Sequence, residues 1–265
     1  MPKRGMTHRP PSFRVDYSHP LAEGLVFAGL GQHAGSTHYH DGSAYGNHGT
    51  MSNMTPTRDW EWISELSRES VAGRAEITGI YNLAPSFTAT FPFAIAVWFT
   101  LRIRGQFDCI CQFTTNGGTG IFNISIASDY SLYYVQGGSA RNLALTANAD
   151  QWYHVALCFD SSSSVRAYAD GISIAVAQPV GDFTPANPIV SLMRLYDVGT
   201  TSLRGSICDP MAYNRALSDA EIARLADPSN VDLDGMIQRV PSRRYFYAPS
   251  TGNRRRRLLL CGAAA

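Results

Sequence analysis

The sequence predicts an all-β protein: a two-sheet antiparallel jelly-roll sandwich, with one short C-terminal helix and extended N- and C-terminal arms. Three observations predict it. Aromatic residues fill 11% of the 265 positions, charged residues only 16%, and there are 23 glycines and 14 prolines. Short apolar runs recur between clusters of Gly, Asn, Ser and Asp, and long helical periodicities are missing. About a dozen such runs follow at roughly 8–15-residue spacing, which suits two packed antiparallel sheets.

The elements follow in order. Residues 1–21 are basic and proline-containing, and read as an arm. A first strand is expected at 24–28. Residues 29–53 form a polar stretch rich in Gly, His, Ser and Asn. Residues 61–68 suit a helical turn or two, and 76–83 a strand. The run 92–103 is a strong strand, with Phe93, Ile95, Val97 and Phe99 alternating against Ala94, Ala96 and Trp98. Runs 108–114, 120–126, 132–136 and 141–145 complete a meander. Residues 151–159 are largely apolar on both faces, as in a strand buried on both sides.

Asp160 and Ser161 to Ser164 then make a polar turn. Strands at 165–169 and 172–177 flank Asp170-Gly171, a hairpin signal because Gly supplies the positive φ of a tight turn. The last core strands are expected at 189–195 and 206–213. Residues 218–226 form the one convincing helix. Ser218 can cap it, Glu221 three residues on completes a capping box, and Leu217, Ile222 and Leu225 give it an apolar face. Asp227-Pro228 ends it. The resulting division is an N-terminal arm at 1–21, a jelly-roll domain at 22–228 and a basic arm at 229–265.

The formal net charge of +1 gives no argument for nucleic-acid or membrane affinity of the whole chain. Residues 1–20 lack an apolar h-region, so they do not read as a secretory signal. No run approaches the length of a membrane span. The five cysteines, Cys109, Cys111, Cys158, Cys208 and Cys261, are odd in number and lack zinc-type spacing. Cys109 and Cys111 would share one face of a strand, a poor geometry for bonding each other. Free thiols packed as small hydrophobes are expected, consistent with folding in a reducing cytoplasm.

An ordered series of short signatures carries a resemblance. It runs through Trp152-Tyr153-His154-Val155-Ala156, Tyr168-Ala169-Asp170-Gly171, Gly205-Ser206-Ile207 and Tyr213-Asn214-Arg215-Ala216-Leu217-Ser218, with Glu221-Ile222 beyond. Upstream stand His19 to Val26, then Asp41-Gly42-Ser43 with Gly46-Asn47-His48-Gly49-Thr50, and then Phe93 to Phe99. Together they resemble the laminin-G-like, concanavalin A-like lectin jelly-roll family, in the form found in phage and bacterial proteins. The resemblance implies a binding role, often toward carbohydrate, with enzymes a minority. It also implies a structural Ca²⁺, for which Asp41 and Asn47 are the natural side-chain ligands and Asp209 a third. Cys208 stands where the family usually has a further acid. The competing reading of Asp41, Ser43 and Asn47 is a turn whose side chains bond their own backbone.

Catalysis is not expected. Glycoside hydrolysis needs two facing carboxylates, and no Glu-x-Asp-x-Glu pattern occurs. Glu61, Glu65 and Glu69 read as a solvated charge face, and His154 as a packed core residue. Tyr130, Tyr133, Tyr134 and Tyr196 lie near expected loops and are candidates for stacking on sugar rings. The assembly candidates are Arg243, Arg244, Tyr245, Phe246 and Tyr247, followed by Arg254, Arg255, Arg256 and Arg257. A basic run followed by leucines resembles tails of laminin-G-like proteins of phage origin. The expectation is therefore a virion structural protein of a tailed phage, a head decoration or tail-associated protein. It would be assembled in the host cytoplasm, bound to other virion proteins and to copies of itself, and would display a glycan-binding lectin-like module. A free-standing lectin module is the alternative, and a glycoside hydrolase the more distant one.

Overall fold

Successive side chains of the run from Phe93 to Leu101 enter two different cores. Phe93, Ile95, Val97, Phe99 and Leu101 join one cluster of buried residues, and Ala94 and Ala96 join a second. Every residue of that strand is buried, so it is covered on both faces. The computed structural model describes residues 13–30, 38–54, 60–63, 65–66, 68–72, 79–81, 91–102, 107–114, 120–136, 139–161, 164–177, 189–193 and 202–239.

The strands in chain order are β1 (Phe13–Val15), β2 (Leu25–Ala28), β3 (His38–Tyr39), β4 (Gly49–Ser52), β5 (Trp60–Ile63), β6 (Arg68–Ala72) and β7 (Gly79–Tyr81). Then come β8 (Phe93–Leu101), β9 (Phe107–Thr114), β10 (Gly120–Ala127), β11 (Ser131–Gln136), β12 (Ser139–Thr146) and β13 (Trp152–Ser161). The last are β14 (Ser164–Ala169), β15 (Ile172–Ala177), β16 (Ile189–Leu192), β17 (Gly205–Tyr213) and β18 (Ile237–Arg239). Among the described residues one α-helix, α1 (Asp219–Leu225), precedes β18.

All of these strands but β1 and β18 form two large antiparallel sheets. The first has the order β12-β11-β10-β9-β16-β7-β4-β3. The second has the order β15-β14-β13-β8-β17-β6-β5, with β2 also on β17. Phe93, Phe99, Phe159 and Tyr153 of the second sheet meet Phe122, Ile124, Leu132 and Tyr134 of the first, and this is the main core. The rings of Phe93 and Phe159 stack at 4.3 Å, and Phe122 meets Phe159 edge-on at 4.9 Å. Such pairs add to plain burial through their quadrupoles.

The outer face of the second sheet is covered too. Ala94, Ala96, Ala156, Cys158, Met211 and Tyr213 pack under Leu217, Ile222 and Leu225 of the α1 region. The helix has the expected cap: Ser218 Oγ accepts from Glu221 N, and Glu221 Oε2 accepts from Ser218 N at 2.8 Å. Asp170 and Gly171 sit at φ 48° and 79°, the conformation that a two-residue hairpin between β14 and β15 requires. His154 is buried, its ring edge-on to Trp98 at 5.2 Å.

Three expectations are corrected. Residues 61–68 do not form a helical turn: β5 and β6 make an antiparallel hairpin there, with Glu61 opposite Ser70 and Trp62 opposite Glu69. Cys109 and Cys111 do not share a face. The ladder slips by one residue between Ile124 and Ser125, so Cys111 stands opposite Ile124 and Cys109 opposite Ser125. Third, the packed unit extends past 22–228. β1 pairs with β18, Phe13 opposite Arg239, and Val15, Leu233, Met236 and Ile237 are buried in the second core.

Candidate glycan-binding face

The two sheets differ in what lies outside them. The second is packed under apolar side chains, as above. The first turns a polar face outward. Its inward residues Cys111, Phe122, Ile124, Tyr134 and Leu192 belong to the main core. Apart from Ile110 at the β9 slip and Met193 just past β16, which join the same core, their neighbours along the strands point the other way, because strand side chains alternate. Register then lines these up in two rows. One runs Asn142, Tyr133, Ser125, Cys109 across β12, β11, β10 and β9. The other runs Ala140, Val135, Asn123, Gln112, Ser191 from β12 to β16.

The rows are graded in accessibility. Cys109, Gln112, Ser125 and Ser191 are buried, whereas Asn123 and Tyr133 are partly accessible and Asn142 is exposed. The open part therefore lies over β10–β12. Its groups are held in place by one another: Ser125 Oγ donates to Asn123 Oδ1 at 2.7 Å, Asn142 Nδ2 to Tyr133 Oη at 3.4 Å, and Ala144 N to Asn142 Oδ1 at 2.7 Å. This is a set of neutral donors and acceptors beside one tyrosine ring, suited to hydroxyl groups and the C–H side of a sugar.

The four tyrosine candidates divide. Tyr133 lies on this open face. Tyr134 does not: it is 1% exposed and sits in the main core, where burial pushes its hydroxyl pKa up. Tyr130 is partly buried against the same core, at the positive-φ turn before β11. Tyr196 lies outside the described residues, as do Arg243, Arg244, Tyr245, Phe246, Tyr247, Arg254, Arg255, Arg256 and Arg257.

The proposed calcium ligands are not brought together. Asp41 and Asn47 share a loop, but Asp209 lines a separate small cavity under α1 with Trp98, His154 and Leu225. The Asp41 carboxylate is fully engaged by protein donors. Oδ1 accepts from Ala28 N and Ser43 N, both at 2.8 Å, and Oδ2 accepts from Ser43 Oγ at 2.5 Å and Asn47 N at 2.8 Å. Asn47 Nδ2 donates to Val26 O at 3.0 Å, which leaves Asn47 Oδ1 as one buried oxygen without a partner. One open oxygen does not fit a Ca²⁺ ion, which takes six to eight. The loop matches the self-bonded turn instead, and among the described residues no three His, Cys, Asp or Glu side chains cluster for a metal.

Two antiparallel sheets packed face to face make a β-sandwich, and the sequence says of which kind. Residues 77–223 match the profile of the concanavalin A-like lectin/glucanases superfamily. The chain belongs to this superfamily. Among solved structures it is similar to the Trypanosoma rangeli sialidase, at 14% identity and a TM-score of 0.60, over 80% of this chain and 33% of that one. It is also similar to the SAP-like pentraxin of Limulus polyphemus, at 17% identity and 0.51, over 60% and 81% of the two chains. A third is the binding domain of Paraclostridial Mosquitocidal Protein 1, at 16% and 0.57, over 77% and 52%. The chain spans about a third of the length of the sialidase, and at such identities the likeness is one of fold. No curated protein matches the sequence.

Proposed function

We propose that this chain is a glycan-binding module, and that a tailed-phage virion carries it. One observation carries the binding half: the first sheet presents an accessible polar strip, Asn123, Tyr133 and Asn142, while the second sheet is packed over on both sides. Placed groups on a rigid sheet lose little freedom when a ligand docks, so modest numbers of hydrogen bonds suffice. The strip's neutral amides and hydroxyls favour binding over hydrolysis, which would require two carboxylates about 5–10 Å apart. An array of sialylated, galactose-, glucose-, mannose- and N-acetylglucosamine-terminated oligosaccharides tests it. Reproducible binding that falls with Tyr133→Ala supports the reading, and a blank array overturns it.

The virion half rests on the resemblance of His19 to Val26 and Asp41 to Thr50 to domains of phage and bacterial proteins, and on the basic tail sequence. In this reading Arg243 to Tyr247 and Arg254 to Arg257 attach the module to other virion proteins or to further copies of the chain. Four free, buried cysteines suit assembly in a reducing host cytoplasm. Sedimentation of the full chain with virion proteins tests this half: co-assembly supports it, and a monomer that binds none of them overturns it.

A further inference from the structure

A second polar pocket lies away from the sheet face. It opens between the β1–β18 ribbon and the 41–43 loop and has a volume of about 690 Å³, within the range of small-ligand sites. Its groups come from three distant parts of the sequence and are tied together. Arg14 Nη2 donates to Gln238 Oε1 at 3.2 Å, and Gln238 Nε2 donates to Asp16 Oδ2 at 2.5 Å. Ser18 N and Ser18 Oγ both donate to Asp16 Oδ1, at 3.0 and 2.6 Å. Tyr17 is 53% exposed, yet its hydroxyl donates to Gly42 O at 2.8 Å. The ring is therefore tethered at its polar end with much of its apolar surface left to solvent.

We propose that this pocket is a saccharide site, distinct from the sheet face, that holds one pyranose of a neutral glycan against Tyr17. The proposal rests on the glycan-binding reading. Tyr17 supplies the apolar platform. Arg14 uses only Nη2 in the network, so Nε and Nη1 remain to donate to sugar hydroxyls. Asp16 keeps acceptor capacity in the same network and, with its pKa lowered by the Ser18 hydrogen bonds, stays ionised. The formal charges of Arg14, Asp16 and Asp41 sum to −1, which disfavours an anionic ligand, while the unused guanidinium donors disfavour an ammonium. The network pre-orders these groups before any ligand arrives.

The test is a glycan array probed with the full chain and with Tyr17→Ala, Tyr17→Phe, Arg14→Ala and Tyr133→Ala, each first shown to be folded by thermal unfolding. At least one class of neutral glycan should lose about tenfold or more in affinity with Tyr17→Ala and with Arg14→Ala. The same class should stay within about threefold with Tyr17→Phe, which keeps the ring, and with Tyr133→Ala. If Tyr17→Ala and Arg14→Ala bind every glycan as the parent does while Tyr133→Ala loses them, the pocket proposal is overturned and the sheet-face reading stands. If the parent chain binds no glycan, both are overturned.

Discussion

Arg215 holds Glu221 with two hydrogen bonds, Nη2 to Oε1 at 2.6 Å and Nη1 to Oε2 at 3.1 Å. The same guanidinium donates through Nε to Glu23 O at 2.7 Å and through Nη2 to Pro20 O at 3.3 Å. One side chain thus joins the capping box of α1 to the entry of β2, roughly 200 residues earlier in the chain.

That clasp makes stability sensitive to acid. Burial works to raise the Glu221 pKa, but the hydrogen bonds from Arg215 and Ser218 outweigh it and hold the carboxyl at about 2, below its ordinary 4.5. A carboxyl depressed in the folded state stabilises fully above its unfolded value and loses that contribution as pH falls toward the folded value. Glu221→Gln should therefore cost about 1–3 kcal/mol at pH 7 and flatten the loss of stability between pH 4.5 and 2. Urea unfolding at several pH values checks this, and parallel acid limbs for the two proteins would refute it.

Gly205 starts β17 and pairs with Leu101 of β8. A Cβ built there would stand 1.8 Å from the backbone oxygen of Thr100, a clash that no rotamer relieves. Gly205→Ala should cost about 3 kcal/mol or more, or prevent folding. Gly171→Ala should cost about 1–3 kcal/mol, because a side chain at φ 79° is strained and the new methyl would meet Ala223 Cα at 3.2 Å. Thermal unfolding should rank them in that order.

The loop from Asp41 to Asn47 should be indifferent to calcium. Millimolar Ca²⁺ or EDTA should leave the melting temperature unchanged, since the Asp41 oxygens already accept four protein hydrogen bonds. Asp41→Ala should cost about 2–4 kcal/mol, because it strands buried donors. A melting temperature raised by Ca²⁺ and lowered by EDTA would show that the loop rearranges to take the ion.

The thiols should be inert in the folded chain. Burial pushes Cys111 up to about 12 and Cys158 to about 11, and it also raises Cys109. With Cys261→Ser in place, an aromatic disulfide reagent at pH 8 should label no cysteine until the chain is unfolded, and then four. Rapid labelling of the native protein would contradict the packing described for β9, β13 and β17.

Local chemistry made much of this fold readable. Asp170-Gly171 and the Ser218–Glu221 box announce their own geometry, and the doubly apolar run at 152–159 implied a cover on each side. What the sequence hid was long-range or depended on register. β1 and β18 are three residues each and more than 220 positions apart, so neither carries a periodic signal. The Cys109–Cys111 inversion depends on a one-residue slip in the β9–β10 ladder, which composition does not encode. Glu61, Glu65 and Glu69 stand at a helical spacing that the β5–β6 strand pairing overrides. At the candidate site, Tyr133 and Tyr134 look alike in sequence, and only the partners of β11 decide which ring is inside. Tyr17 carries no signal in the sequence, because its partner is the backbone carbonyl of Gly42 in another loop.

The central claim is that a glycan docks on the open face of the first sheet. A solution NMR titration of the ¹⁵N-labelled Tyr17→Ala chain, in which the β1–β18 pocket is disabled, with the strongest glycan of its own array tests it most directly. The account predicts saturable shifts in Asn123, Ser125, Tyr133 and Asn142, lost in Tyr133→Ala. Saturable binding that leaves those four residues unmoved, or no binding at all, would contradict it.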